Sequence, residues 1–346
     1  MIKKIVGNNI KNIRKEKKVS QDYIAEVALL DRGQLSKIES GKVNITIETV
    51  AKIAQALNIN VSTLFTNSQV SEPKPFVKWA GGKTQILPEL KKYIPDKFNT
   101  YYEPFLGGGA LFFSLQPEKA VINDLNSHLM STFKCFENET AFHELIKKLK
   151  IHENNNSEQY YYSIREQDRE ADFWKKSISE IGARLIYLNK ACFNGLYREN
   201  SSGYFNVPFG KKEKVNCFDL ENFNAIFNFF KQNKIKILST TYQDAIKNAK
   251  ENDFIYLDPP YDVYPDKTGF VSYGKDGFDA QAQRDLAECF KMLSDKGAYV
   301  MLSNHNTPLI QELYKGFNIR VIHAKRMINS KGSGRGAVEE VIITNY

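Results

Sequence analysis

Two rhythms of apolar residues run along the chain, separated by a polar break. Up to Phe65 the apolar positions recur at three- and four-residue spacing, with Ile5, Ile10 and Ile13 on one face and Tyr23, Ile24 and Val27 on another, the period of short amphipathic helices. Cap residues mark their ends. Ser20 stands before Tyr23-Ile24, Asp31 before Arg32–Glu39 and Thr46 before Ile47–Leu57, each with a side-chain oxygen suited to an N-cap. Gly41 follows Glu39 where a helix ends in a left-handed residue. With Val61–Phe65 closing the unit, the pattern predicts about five short helices. The segment 67–75 holds Pro73 and Pro75 among polar residues and has no period, so it reads as a linker. Beyond it, short apolar runs such as Phe254–Leu257 alternate with helical stretches, the signature of an α/β sheet. The predicted layout is therefore a helical domain at 1–66, a linker at 67–75 and an α/β domain at 76–346.

Composition narrows the class. The chain has 346 residues, 25% of them charged and 42% hydrophobic, enough for packed cores and too apolar for wholesale disorder. It has no apolar run of the ~18 residues a membrane span needs, and its basic amino end lacks the apolar stretch of a secretory signal. A cytoplasmic protein is expected. The formal charge of +8 favours a polyanionic partner. Cys135, Cys192, Cys217 and Cys289 form no CxxC pair and the five histidines do not cluster beside them, so reduced cysteines and no metal are expected.

Three segments carry candidate chemistry. In Asp253–Tyr261 the apolar strand Phe254–Leu257 delivers Asp258-Pro259-Pro260-Tyr261 at its carboxyl end, the edge of an open α/β sheet where ligands bind. Paired prolines cannot continue a ladder, so the quartet is a stiff loop. The Asp258 carboxylate and the Pro259 carbonyl supply two acceptors, matching an exocyclic –NH2 with two donors, and Tyr261 supplies a face for stacking. Tyr101–Ala110 is a strand running into glycines 107–109 and then a helix start, where backbone can approach a nucleoside closely. Asp124, ending the strand Val121–Asn123, suits ribose hydroxyls. The turn is not GxGxxG and no GK[ST] follows it, which disfavours NAD and ATP. In Phe76–Lys83, Gly81-Gly82-Lys83 lacks the P-loop spacer and by itself reads as a capped helix start.

Residues 5–65 resemble the Cro/repressor-type helix-turn-helix family: Ser20-Gln21, Ile38-Glu39-Ser40-Gly41 and Leu64-Phe65 all fall in register. The resemblance implies DNA binding, with the outward polar residues Arg32, Gln34, Ser36 and Lys37 reaching base edges or phosphates. Residues 75–346 resemble the Dam-type, alpha-group DNA adenine N6-methyltransferases through Lys78–Lys83, Glu103–Gly109, Asn123-Asp124 and Asp258–Tyr261, in that order. Further matches are Asn194–Arg198, Phe205–Gly210, Ser303-Asn304-His305 and Ser330–Glu340. The resemblance implies a Rossmann-like sheet that binds S-adenosylmethionine at its strand ends. Trp79, Lys83, Phe105, Gly107, Asp124, Asp244 and Asp258 would contact the cofactor, with Asp258–Tyr261 catalytic. For Asp244 a helix N-cap is an equal alternative.

The segment between about 134 and 238 interrupts the sheet pattern. It reads as helices over Ala141–Lys150 and Ile178–Ala191, then as a hairpin over Phe193–Lys212 turning at Ser201-Ser202-Gly203. In the family such a hairpin enters the major groove. Arg198 would take guanine O6 and N7 as a fork, Lys211 or Lys212 phosphate or base, and Phe193, Leu196 and Pro208 apolar contacts. Lys78 would reach another base pair. GATC is the expected site, although Glu199 stands where GATC enzymes of the family carry an apolar or aromatic residue. The target adenine must be flipped out of the duplex, and Thr268–Gly274 could close over it with Phe270 or Tyr273. Duplex DNA is the implied partner, a cognate restriction endonuclease an optional second. The rival readings are a cytosine N4 methyltransferase, against which Asp258 argues because Ser-Pro-Pro-Tyr is the usual loop there, and a repressor with a vestigial methylase half.

Overall fold

The computed structural model describes residues 2–65, 72–263, 278–325 and 337–346. It divides the chain into a unit at Met1–Ser71 and a larger one at Glu72–Tyr346.

The first unit is helical: α1 (Ile2–Glu16), α2 (Gln21–Ala28), α3 (Arg32–Glu39), α4 (Ile47–Ala56) and a 3-10 turn at Val61–Leu64. The caps form as expected. Ser20, Asp31 and Thr46 accept from the backbone three residues on, and Gln34 returns a bond to Asp31 in a capping box. Gly41 has φ +66°. The helix faces are rotated from the sequence expectation. Val6 and Ile10 bury the stripe of α1, leaving Ile5 and Ile13 half-buried, while Ile24, Ala25 and Ala28 bury that of α2. Tyr23 and Val27 remain 49% and 41% exposed. Small residues explain the rotation: alanines let α2 lie close to its neighbours, and a Cβ at Gly7 would stand 2.1 Å from the Ile38 carbonyl of α3. Glu39 is buried and held by Arg14 Nε at 2.6 Å and Gln21 Nε2 at 2.8 Å. This pairing joins the carboxyl end of α3 to α1 and α2.

The second unit is built on a seven-stranded sheet: β1 (Tyr101–Glu103), β2 (Lys119–Asn123), β3 (Lys234–Leu238), β4 (Phe254–Leu257), β5 (Tyr299–His305), β6 (Asn318–Lys325) and β7 (Ala337–Thr344). Their spatial order is β3-β2-β1-β4-β5-β7-β6. The first five are parallel, and β7 inserts antiparallel between β5 and β6. This is the mixed, Rossmann-like sheet expected, with its order reversing between β1 and β4, the switch point at which such sheets bind ligands. Phe254 and Tyr256 of β4 pack into one core layer and Ile255 and Leu257 into the other. Burial on both faces is why the strand reads as an unbroken apolar run.

The insertion between β2 and β3 contributes helices at Glu139–Asn154, Glu158–Glu166 and Ile178–Ala191. The last is buried along nearly its whole length. The segment Phe193–Lys212 folds back on itself, but its ladder is reduced to isolated bridges at Cys192–Phe209 and Glu199–Phe205. The turn lies where the glycine predicts, with Gly203 at φ +77° and Asn200 accepting from the Ser202 and Tyr204 amides. Instead of a long ladder, a buried ion pair anchors it: Asp168 meets Arg184 at 2.8 Å and accepts the Phe205 amide at 2.8 Å. The four cysteines are free. Among the described residues no helix is long and apolar enough to cross a membrane.

Candidate active site and nucleic-acid interface

β4 brings Asp258 to the switch point, where both carboxylate oxygens are engaged. Oδ2 lies 2.8 Å from Lys83 Nζ, and Oδ1 accepts from Ser303 Oγ of β5 at 2.8 Å. Ser303 also bonds Tyr256 OH at 2.8 Å. Lys83 Nζ donates to the Gly81 carbonyl at 2.6 Å and lies 4.6 Å from the centre of the Tyr261 ring. Burial pushes the Asp258 carboxyl above its ordinary value, while Lys83 and Ser303 pull it down. Glu103, ending the neighbouring β1, is deeply buried and accepts from Tyr101 OH at 2.8 Å. Burial lifts it to about 8, against the Tyr101 hydroxyl bond, and the nearby Asp258 charge adds to the rise. Burial therefore favours the neutral form of Glu103 at neutral pH, while Lys83 favours the ionised form of Asp258 against the effect of burial.

The loop behind Asp258 is pinned. Gln283 Nε2 donates to the Pro260 carbonyl at 2.9 Å, and Asn304 Oδ1 accepts the Asp262 amide at 2.9 Å. Tyr261 OH donates to Glu340 at 3.2 Å. The stiff Asp-Pro-Pro-Tyr turn is thus held by β5, β7 and the Ala280–Asp295 helix.

Beside it, Asp124 binds the glycine loop. Its Oδ2 accepts the Gly107 amide and its Oδ1 the Asn126 amide, both at 2.9 Å. A carboxylate has about four lone-pair sites, so acceptor capacity remains on both oxygens. Gly107 has φ +49°, and a Cβ there would stand 2.9 Å from Trp79 Cδ1. Phe105 faces Tyr242 at 5.3 Å and Phe278 at 6.0 Å between ring centres. Asp244 is not the N-cap of its helix. Thr241 is, and Asp244 sits three residues on, exposed and ion-paired to Lys247 at 3.4 Å.

On the hairpin, Phe193, Arg198, Pro208 and Lys211 are exposed and Leu196 half-buried. Arg198 Nε bonds Asn206 Oδ1 at 2.7 Å, which braces the guanidinium. Lys78 is exposed, and its backbone is clamped by buried Asn189, whose Oδ1 accepts the Lys78 amide at 2.9 Å and whose Nδ2 donates to the Lys78 carbonyl at 2.8 Å. Asn189 also donates to Gly195 O at 3.1 Å, locking the first motif to the hairpin. In the helical unit Arg32, Gln34, Ser36 and Lys37 are all exposed on α3. Gln34 spends its amide oxygen on the cap, and Arg32 stands 3.7 Å from Asp22.

Sequence reasoning missed Gln283 and Asn189, and assigned Glu103 and Ser303 no role although their motifs were visible. Asn189 carries no local signal, because its partners lie elsewhere in the chain. Thr268–Gly274 lies outside the described residues.

Comparison with known proteins agrees with this geometry. A family profile described as D12 class N6 adenine-specific DNA methyltransferase matches residues 79–328, and one described as a helix-turn-helix domain matches 7–70. The chain belongs to the D12 class of N6 adenine-specific DNA methyltransferases and carries an amino-terminal helix-turn-helix domain. It is 44% identical over 273 residues to the Type II methyltransferase M1.LlaDCHI of Lactococcus lactis subsp. cremoris, a match spanning 79% of this chain and 95% of that protein. The match to Type II methyltransferase M.MjaIII of Methanocaldococcus jannaschii is 38% over 296 residues, 80% of this chain and all of the other. That to the DNA adenine methylase of Escherichia coli K12 is 31% over 271 residues, 78% and 94% respectively. Membership in an adenine-N6 family sets aside the cytosine N4 reading.

Proposed function

We propose that the protein transfers the methyl group of S-adenosylmethionine to N6 of an adenine flipped out of duplex DNA, at a short site for which GATC is the first choice. The observation that carries this reading is the Asp258 carboxylate, fixed by Lys83 and Ser303 at the switch point beside the Gly107–Asp124 loop. The residues present fit the cofactor. Gly107 leaves space that a Cβ would fill, Asp124 has acceptor sites for a ribose diol, and Phe105 with Tyr242 offers aromatic faces for a purine. Lys83 suits the amino-acid carboxylate, Trp79 lies against Gly107, and the exposed Asp244 carboxylate would accept from the purine amine. When bound, the cofactor supplies an electrophilic methyl on a sulfonium.

The protein's own groups do the rest. Asp258 Oδ2 and the Pro259 carbonyl accept the two N6 protons, drawing the nitrogen out of conjugation with the ring so that its lone pair can attack. Pro260 keeps the turn rigid, and Tyr261 stacks on the flipped base. As N6 takes the methyl, the methyl–sulfur bond would break with its electron pair left on sulfur as a neutral thioether, and N6 would lose one proton to Asp258 and then to solvent. Lys83 and Ser303 hold the carboxylate in the acceptor position, the preorganised electrostatics that lowers barriers. Arg198 reads a guanine, Lys78 a second base pair and Lys211 the backbone, with Phe193, Leu196 and Pro208 filling the groove. The helix-turn-helix unit binds a separate element through Arg32, Gln34, Ser36 and Lys37 and regulates transcription, most simply at the protein's own gene in the cytoplasm of its cell. The test is a map of N6-methyladenine in DNA from cells expressing the protein. One short motif methylated throughout, and none with Asp258→Ala, is expected; unmethylated DNA from cells making folded protein would overturn the reading.

A further inference from the structure

Residues of the candidate cofactor pocket and of the recognition hairpin close on each other in a ring of contacts. Asp124 accepts the amides of Gly107 and Asn126, each at 2.9 Å. Gly107 lies directly against the Trp79 indole. Trp79 stacks on Tyr197 of the hairpin with centroids 4.7 Å apart and planes inclined by 24°. Tyr197 OH donates to Glu199 Oε1, and the same oxygen accepts from Asn126 Nδ2 at 3.3 Å, returning to the residue whose amide Asp124 holds. Arg198 sits between Tyr197 and Glu199 in the chain, so the two side chains that grip the pocket flank the proposed guanine reader.

We propose that Tyr197 and Glu199 are positioning residues that link cofactor occupancy to DNA readout, so that each ligand tightens the other. This rests on the cofactor and Arg198 assignments above and goes beyond them. The physical argument is short. A ligand packed against Trp79 and Gly107 limits the orientations of the indole, and the indole is one half of the stack on which Tyr197 rests. A ligand drawing on Asp124 likewise stiffens Asn126 and, through it, the Glu199 carboxylate. Both effects reduce the freedom of the two residues on either side of Arg198, so part of the ordering that DNA requires is already complete. Ordering completed by one ligand need not be repeated for the second, which is positive coupling, and the coupling is equal in both directions. Glu199 thereby has a role that explains its place beside Arg198: it faces the pocket wall rather than a base.

The experiment uses the full-length protein, S-adenosylhomocysteine as a non-reactive pocket probe, and a duplex carrying the methylated motif mapped in cells. Kd for the probe is measured by calorimetry with and without duplex, and Kd for duplex with and without the probe. For wild type a mutual tightening of about tenfold is expected, within the range usual for such linkage. In Tyr197→Leu and Glu199→Ala the factor should fall to about one or two, while each ligand alone still binds. Glu199→Gln keeps an acceptor oxygen for Tyr197 and Asn126 and should retain most of the linkage, which a merely structural role would not distinguish. Melting temperatures check that the variants are folded. Wild type that binds both ligands without mutual effect, or folded Tyr197→Leu and Glu199→Ala with undiminished linkage, overturns the proposal. Wild type that fails to bind the probe at all overturns the cofactor assignment beneath it.

Discussion

Lys83 Nζ stands 2.8 Å from Asp258 Oδ2, and both side chains are nearly enclosed, at 10% and 16% exposure. The pair unites the first motif of the methyltransferase unit with the Asp258–Tyr261 loop. It also favours the ionised form of Asp258, because the ammonium opposes the rise that burial imposes on the carboxyl. Removing either partner leaves the other charge in a poorly solvated place.

Asp258→Ala is expected to lower the methylation rate by about a hundredfold or more, the usual cost of losing one preorganised polar stabiliser. Lys83→Met should also reduce it and shift the acid limb of the kcat profile upward, since the Asp258 pKa rises when the cation is gone. A methyl-transfer assay across pH measures both; turnover close to wild type in folded Asp258→Ala protein defeats the assignment.

Arg198→Ala should relax discrimination at one guanine of the site by about 1–3 kcal/mol, the value of a bidentate base contact. Sequencing of methylated sites in a randomised library checks this. A uniform fall on every sequence would make Arg198 a phosphate anchor instead.

Glu103 predicts a pH signature in stability. Its carboxyl titrates near 4.5 when unfolded and at about 8 when folded, so the neutral acid is favoured by the fold. That stabilisation is complete below the unfolded value and is lost as pH rises through about 8. Glu103→Gln, which stays neutral, should therefore gain on wild type as pH rises from about 4.5 to about 8, by roughly a few kcal/mol at most, and gain no more above that. Denaturant melts at several pH values give the difference; parallel curves for the two proteins refute it.

In the helical unit, Arg14→Ala strands the buried Glu39 and should destabilise that unit by about 3–5 kcal/mol. Urea melts should show its transition moving to lower denaturant while that of the methyltransferase unit stays, and an unmoved transition would contradict the role given to the pair.

Lys37→Ala and Ser36→Ala should weaken binding of the full chain to DNA upstream of its gene without altering which adenines are methylated. Footprinting at two salt concentrations separates this from phosphate-only tethering, which falls steeply with salt and ignores sequence. Protection no stronger than on random DNA rules out the operator role.

The sequence by itself determined whatever depends on neighbouring residues. The N-caps at Ser20, Asp31 and Thr46, the left-handed Gly41, the buried strand Phe254–Leu257 and the turn at Gly203 could all be read because caps, turns and periodicity are local. The Asp258–Tyr261 quartet was legible for the same reason: a strand end and two prolines specify a stiff acceptor loop whatever surrounds it. Tertiary structure decided the rest. Which face of α2 is buried depends on how closely alanines let it approach other helices, so Tyr23 and Val27 came out exposed. Thr241 rather than Asp244 caps its helix because the chain leaves β3 in an extended conformation at Thr241. Asn189 grips Lys78 from 111 positions away, and Ser303 reaches Asp258 from 45. Such pairs are set by strand order and by the packing of the insertion helices. A polar side chain gives no local sign of a partner that only the folded sheet brings within 3 Å.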